Sequence, residues 1–221
     1  PLKAEMEKLL HCPVYVDNDV NVAALGEWWK GAGKTDDNFL MITLGSGVGC
    51  GLIINGDLYR GATYAAGGIG YMVTDKNAAE KEYDQTFPGY GFLDSHVGGP
   101  SITKRMLRHL GEAEQKSEDW SAEKIFEMAM DGDATAKKVI EDFLSHLSYG
   151  LINVITIINP QQVILGGGVS RSLDHFLPHI IETIQKHLPI HTNISVTKVE
   201  DVSLIGAGYL LLKEHDSILK V

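Results

Sequence analysis

Between Val14 and Trp29 the spacing of apolar residues changes period. Val14 and Val16 alternate with other residues, which predicts a short strand, and Ala23, Ala24, Leu25, Trp28 and Trp29 then recur at helical spacing. Upstream, Pro1 to Leu10 forms an amphipathic helix with Leu2, Met6, Leu9 and Leu10 on one side. Residues 38–60, NFLMITLGSGVGCGLIINGDLYR, read as strand, glycine loop, strand, tight turn and strand, with Asn55-Gly56 as a type I′ hairpin turn. A polar stretch over 73–91 reads as a surface excursion, a helix begins near Ser101, and Trp120 to Met130 is another short helix. Asp133 caps a long helix in which Ile140, Leu144, Leu147, Leu151, Ile155 and Ile158 make one buried stripe, closed by Asn159-Pro160. Val163-Ile164-Leu165 is a short buried strand and Gly166-Gly167-Gly168 a turn. Ser172 caps a helix to about Leu188, Ile194 to Val199 is a strand, and SLIGAGYLLLKEH is a final helix.

Strands come first and helices then alternate with strands, so the class is α/β. The 221 residues are enough for one large domain or two small ones. A formal charge of −10 argues against a broad nucleic-acid or membrane-binding surface. No apolar run is long enough to span a bilayer and no signal peptide opens the chain. Two cysteines, Cys12 and Cys50, do not make a disulfide framework, which fits a reducing cytoplasm. The helix already under way at Pro1 reads as the later part of something longer.

Chemistry concentrates at two kinds of place. Asp17-Asn18-Asp19 stands where the strand becomes a helix. Its plain reading is a helix cap, since Asn and Asp are preferred there and a carboxylate suits the helix N-terminus. The loop Gly45-Ser46-Gly47-Val48-Gly49 invites a dinucleotide-binding reading, but that fingerprint must open a helix. Leu52-Ile53-Ile54 follows instead, which is strand. A glycine turn between antiparallel strands can still cradle phosphate with successive N–H groups, and a plain bulged turn is the simpler alternative. Together with Gly166 to Gly168, it gives two glycine loops, each after a strand, that can close on one phosphate-bearing ligand.

The order of segments resembles the ROK family (repressor, open reading frame, kinase) of the actin-like ATPase superfamily. PVYVDNDVNVAALGEWWKGAG, ITLGSGVGCGLIINGDLYRGA, AAGGIGYM, INPQQVILGGGVS and SLIGAGYLLL come in that family's order and spacing. The resemblance implies a ribonuclease H-like α/β fold, a mixed sheet with flanking helices, forming the C-terminal lobe of a bilobal protein. Residues 1–20 would be the end of the first lobe with the catalytic loop, and 21–221 the ATPase-like lobe with dimerisation helices. The implied reaction is transfer of ATP's terminal phosphoryl group, with magnesium, to a hydroxyl of a hexose or amino sugar, as in glucokinases. Asp19 matches the catalytic base and Asn18 a sugar-holding residue. Gly45, Ser46, Gly47 and Gly49 match the second phosphate loop, and Gly166, Gly167 and Gly168 the adenosine-binding turn. The other activity in the family is sugar sensing by a transcriptional repressor, whose DNA-binding domain would lie upstream.

Departures from the family pattern fall around the sugar. Gly68 and Tyr71 stand where the family commonly has Glu and His, and Asp94 where it tends to have another sugar-contacting Glu. No cysteine or histidine lies between Tyr71 and Asp94, so the family's cysteine-rich zinc site is expected to be gone and no metal ligand is assigned. The histidines at 175 and 179, and at 187 and 191, read as solvated positions. Lys104, Arg105 and Arg108 read as a solvated helix end, and Trp28 and Trp29 as residues that pack inside. Sugar, ATP and a second copy of the chain are the expected partners, with no nucleic acid or membrane contacted by this segment.

Overall fold

A computed structural model describes residues 2–74, 91–111, 115 and 120–215. Most of the polar excursion, 75–90, lies outside the described residues. Helix α1 spans Leu2–Leu10 and α2 Asp19–Lys30. Strands β1 (Phe39–Leu44), β2 (Val48–Ile54) and β3 (Asp57–Tyr59) follow. Next come α3 (Asp94–Val97), α4 (Gly99–Leu107), α5 (Ala122–Met130) and α6 (Ala134–Ile158). The chain continues with β4 (Gln162–Gly166), α7 (Leu177–His187), β5 (Asn193–Val196) and α8 (Val202–Glu214).

The five strands make one mixed sheet in the order β3-β2-β1-β4-β5. The β1–β2 and β2–β3 pairs are antiparallel, and β4 and β5 add in parallel beside β1. Asn55 and Gly56 both adopt positive φ (52° and 70°), as a type I′ turn requires. Because β1 is covered on both faces it reads as an unbroken apolar run, and its alternate residues go to different cores. Leu40, Ile42 and Leu44 join a large core with α3 to α7, whereas Phe39 and Met41 face α2 and α8. Val163 and Leu165 of β4 side with the first and Ile164 with the second.

Two features fix α2. Gly49 and Gly51 of β2 let it approach the sheet: a Cβ on Gly51 would stand 2.7 Å from both the Ala24 Cβ and the Val20 carbonyl oxygen. On its other side α2 crosses α8 backbone to backbone. A Cβ on Gly26 would meet the Val202 carbonyl oxygen at 2.1 Å, and one on Gly206 the Val22 carbonyl oxygen at 1.5 Å. Trp28 packs against this smaller core, with its ring edge-on to Tyr209.

Local expectations hold for α6. Asp133 accepts from Thr135 N and Ala136 N, the stripe from Ile140 to Ile155 is buried, and Asn159 ends the helix at φ 49°. Others are corrected. Residues 14–16 pair with no strand among the described residues. Val14 N instead donates to Glu7 Oε1 at 3.1 Å, which leaves the segment extended without a ladder. The helix expected from Ser172 starts at Leu177 with Pro178 in its first turn, because Val169–Ser172 forms a separate 3₁₀ turn. The last strand stops at Val196. Thr197 N still donates to the Leu165 carbonyl oxygen at 2.8 Å, while its hydroxyl bonds Glu27 of α2.

Candidate functional site

The two carboxylates at the start of α2 have different surroundings. Asn18 is the N-cap, with φ −68° and ψ 143°, and its Oδ1 accepts from Val20 N at 2.9 Å. Asp17 is held from several directions. Arg60 Nε and Nη2 each approach Oδ2 at 2.7 Å, while Oδ1 accepts from Asn21 Nδ2 at 2.7 Å and Asn18 N at 2.8 Å. Only 6% of the Asp17 side chain is exposed. Asp19 is exposed, and the one hydrogen bond its side chain makes among the described residues shares the Val20 N–H at 2.9 Å. A carboxylate gripped by a forked guanidinium has its lone pairs occupied. Of the pair, Asp19 is the one free to meet a substrate hydroxyl.

The glycine loop between β1 and β2 is set by its neighbours. Gly45 N donates to Gly47 O at 2.9 Å, and Gly99 N, at the start of α4, donates to Gly45 O at 2.8 Å. Asp94 lies behind the loop with 3% exposure; its Oδ1 accepts from Val48 N at 2.6 Å and its Oδ2 from Gly91 N at 2.9 Å. Gly47 and Gly70 pack so closely on this carboxylate that a Cβ would come within 2.9 and 2.3 Å of Oδ1. Both Asp94 oxygens are bonded to backbone, so the side chain braces the loop. Gly49 lies under Val20, and Gly45 faces open space.

The second glycine turn meets the first. Gly167 has φ 87°, and a Cβ there would stand 2.4 Å from the Leu44 carbonyl oxygen. Gly166 packs on the Met41 side chain, while Gly168 faces open space. Beside this turn lies a cavity of about 860 Å³, bounded by Thr43, Arg171, Thr197, Lys198 and Ser203 among others. It opens at the C-terminal ends of the parallel strands, the usual ligand position in open α/β sheets. Ser203 Oγ also donates to the Asp19 carbonyl oxygen at 3.3 Å, so this cavity wall touches the start of α2. Bare backbone at Gly168 with Arg171 and Lys198 alongside fits a phosphate-bearing nucleotide, although Glu200 and Asp201 also line the cavity and Lys198 lies 3.4 Å from Asp174.

Gly68 precedes and Tyr71 ends a 3₁₀ turn, Ile69–Tyr71, that rests on β2, where Cys50 N donates to Gly67 O at 3.0 Å. Both are exposed, Tyr71 by 50%. A Cβ on Gly68 would make only ordinary contacts at 3.5 Å, so the backbone does not demand glycine there.

The sequence gives no hint of a further group. Asp142 of α6 lies between His96 of α3 and His146, 3.6 Å from His96 Nδ1 and 3.5 Å from His146 Nε2. Arg105 Nη1 is 3.2 Å from the same carboxylate, and Arg105 Nη2 donates to the His96 carbonyl oxygen at 2.6 Å. Arg105 is therefore not a solvated helix end, having only 16% side-chain exposure. The contacts from His146, then His96, then Arg105 hold the Asp142 carboxyl well below the usual carboxylate range. Although the three possible ligands lie within 4.8 Å of one another, the two rings stack at 3.6 Å. An ion cannot lie in the plane of both stacked imidazoles, and Arg105 competes for Asp142. The group is better described as two stacked histidines beside the Arg105–Asp142 ion pair.

Comparison with known proteins agrees with this architecture. The chain matches the model of the ROK family over residues 1–214. It is 32% identical over 234 aligned positions to a glucokinase of Halalkalibacterium halodurans, covering 100% of this chain and 70% of that one. It is 30% identical over 171 positions to the xylose repressor of Bacillus subtilis, covering 77% of this chain and 42% of the repressor. Its structure is similar to that of a ROK family glucokinase from Streptomyces griseus in complex with glucose and AMPPNP. The TM-score is 0.78 at 26% identity, over 95% of this chain and 72% of the other. Among the described residues no helix is long and apolar enough to cross a membrane. With its mixed five-stranded sheet, its paired glycine loops and a family match along almost its whole length, the chain belongs to the ROK family.

Proposed function

We propose that this protein transfers the terminal phosphoryl group of ATP to a hydroxyl of a hexose or amino sugar. The observation that carries the reading is the division of labour at the start of α2. Arg60 occupies Asp17, and Asp19 stays exposed within a motif tied to the cavity wall. Asp19 would accept the proton of the attacking sugar hydroxyl, with Asn18 beside it holding the sugar. The loop of Gly45, Ser46, Gly47 and Gly49 would cradle phosphate, through N–H groups other than that of Gly45, which is bonded to Gly47 O, and Gly166, Gly167 and Gly168 would admit the nucleoside. Bound ATP would supply the phosphoryl group, and its magnesium ion would offset charge on the phosphates. Gly68 and Tyr71 would line the sugar side. The names of the similar proteins support the kinase reading, the glucokinase of H. halodurans foremost.

Residues 1–20 are read as the end of a first lobe and 21–221 as the second. That no residue of α1 is buried, with Leu9 72% exposed, supports this division. Phosphoryl transfer needs groups on both sides of the phosphate, so the 221-residue chain alone is expected to turn over little, and to self-associate as a dimer through its helices. The test is sugar-dependent ADP release by the full-length protein over a panel of hexoses and amino sugars. Asp19→Asn keeps the shape of the cap and is expected to lower turnover about 10²-fold or more while sugar binding survives. An unchanged rate would remove Asp19 as the base. A second reading, a sugar-sensing repressor domain, is favoured by Gly68 and Tyr71 at altered positions and by similarity to the xylose repressor. Sugar binding without turnover on any sugar tested would select it.

A further inference from the structure

Glu27 and Asp94 are the two acidic residues buried as whole residues among the described ones, and Glu27 has no exposed surface at all. No step of phosphoryl transfer described above uses it. A carboxylate removed from water is tolerated only where hydrogen bonds replace its hydration. Glu27 Oε2 accepts from Ala32 N at 2.9 Å, past the end of its own helix, and Oε1 accepts from the Thr197 hydroxyl. Thr197 Oγ1 in turn accepts from Val199 N at 3.1 Å. The fit leaves no space for a neighbour, since a Cβ on Gly31 would stand 1.9 Å from Oε2. Thr197 and Val199 both line the cavity beside Gly167 and Gly168. Near its other end α2 is tied to the same wall by Ser203 and the Asp19 carbonyl.

We propose that Glu27 is a positioning residue for nucleotide binding. Acting through Thr197, its carboxylate fixes the cavity wall from Thr197 to Ser203 and keeps that wall in register with Asp19. The last backbone bond to β4 is Thr197 N to the Leu165 carbonyl oxygen at 2.8 Å, and beyond it the Thr197 hydroxyl, held by Glu27, takes Val199 N. One carboxylate reaches that point from a helix far away in sequence. The helix it comes from also carries the candidate base, so one rigid element sets both the nucleotide wall and the proton acceptor. The proposal rests on the reading of the cavity as the nucleotide site.

The test uses the full chain, AMPPNP and a sugar that it binds. Each ligand is titrated separately by calorimetry, and stability is measured alongside. Glu27→Gln replaces one acceptor oxygen with a donor, and Thr197→Val removes the hydroxyl from a half-buried position that tolerates the change in shape. Both are expected to weaken AMPPNP binding by about tenfold, the weight of one hydrogen bond to a charged group, with sugar affinity unchanged. Thr197→Ser, which keeps the hydroxyl, restores AMPPNP affinity, and the double variant is no worse than the poorer single one. Unchanged AMPPNP affinity in Thr197→Val overturns the proposal. So does a parallel loss of both ligands that follows the loss of stability. If the unmodified chain binds sugar but no nucleotide, the reading of the cavity itself is overturned, and this inference with it.

Discussion

Replacing Arg60 with Met keeps most of the side chain's length and removes the guanidinium that grips Asp17. The carboxylate would then keep two of its four close donors, Asn21 Nδ2 and Asn18 N, at a site with 6% exposure. Two unit charges about 4 Å apart attract by about 4 kcal/mol at an effective dielectric constant of 20. Breaking a buried pair by removing one partner typically costs about 3–5 kcal/mol. Arg60 is itself 27% exposed and two donors survive, so the expected loss lies below that range, at about 2–3 kcal/mol. In a chain of this size each kcal/mol is worth about 2–4 °C, so Tm should fall by roughly 4–12 °C. Thermal unfolding followed by circular dichroism gives the number. Asp17→Asn should cost less, since the freed guanidinium can turn to solvent, and the double variant should lose less than the two singles added together. A Tm for Arg60→Met equal to the parent's, or strictly additive losses, would refute the clamp.

Other expectations follow from burial and charge. Burial pushes the Cys50 thiol up to about 12 whereas Cys12 is exposed, so a thiol reagent should label one cysteine in the native protein and both after unfolding. Rapid native labelling of Cys50 would contradict its burial. The Asp142 carboxyl is held below its unfolded value, so its contribution to stability is present above about pH 4 and is lost as pH falls through the native value. The Tm difference between the parent and Asp142→Asn should therefore be full near neutrality and shrink below about pH 4. A difference that grows on acidification would reverse this assignment. Chelator-free protein should carry no stoichiometric zinc, because a structural site takes about four N or S ligands and the only two cysteines, one exposed and one buried, are not gathered into one. One zinc per chain by elemental analysis would refute that.

What the sequence made legible is what local rules govern. The stripe of α6, its Asp133 cap and the Asn55-Gly56 turn depend on near neighbours, and all stand as the spacing predicts. The glycine loops were also legible as places of close approach, though not that Gly167 would lie against Leu44. Misreadings arose where the deciding partner is distant. Arg105 reads as solvated because Asp142, on a different helix, is invisible to a local window. Nothing near Asp94 in sequence announces that Val48 N and Gly91 N bond its oxygens. Glu27 falls in an unremarkable helix and gains its role only when Thr197 meets it. Residues 14–16 have strand composition, but a strand needs a ladder, and among the described residues none is offered.

The position of β1 at the centre of the sheet has a consequence for synthesis. Phe39 pairs on one side with Ile53, close in sequence, and on the other with Gln162 of β4. The second partner is made about 120 residues later, which at ordinary elongation rates takes roughly 6–25 s. Until then the nascent chain holds a three-stranded meander with its most apolar strand exposed along one side. Short outer strands, three residues in β3 and four in β5, protect the finished sheet from pairing with other chains. They offer no protection to the unfinished one. The exposed edge of β1 thus belongs to the unfinished chain and not to the finished sheet, where β4 covers it.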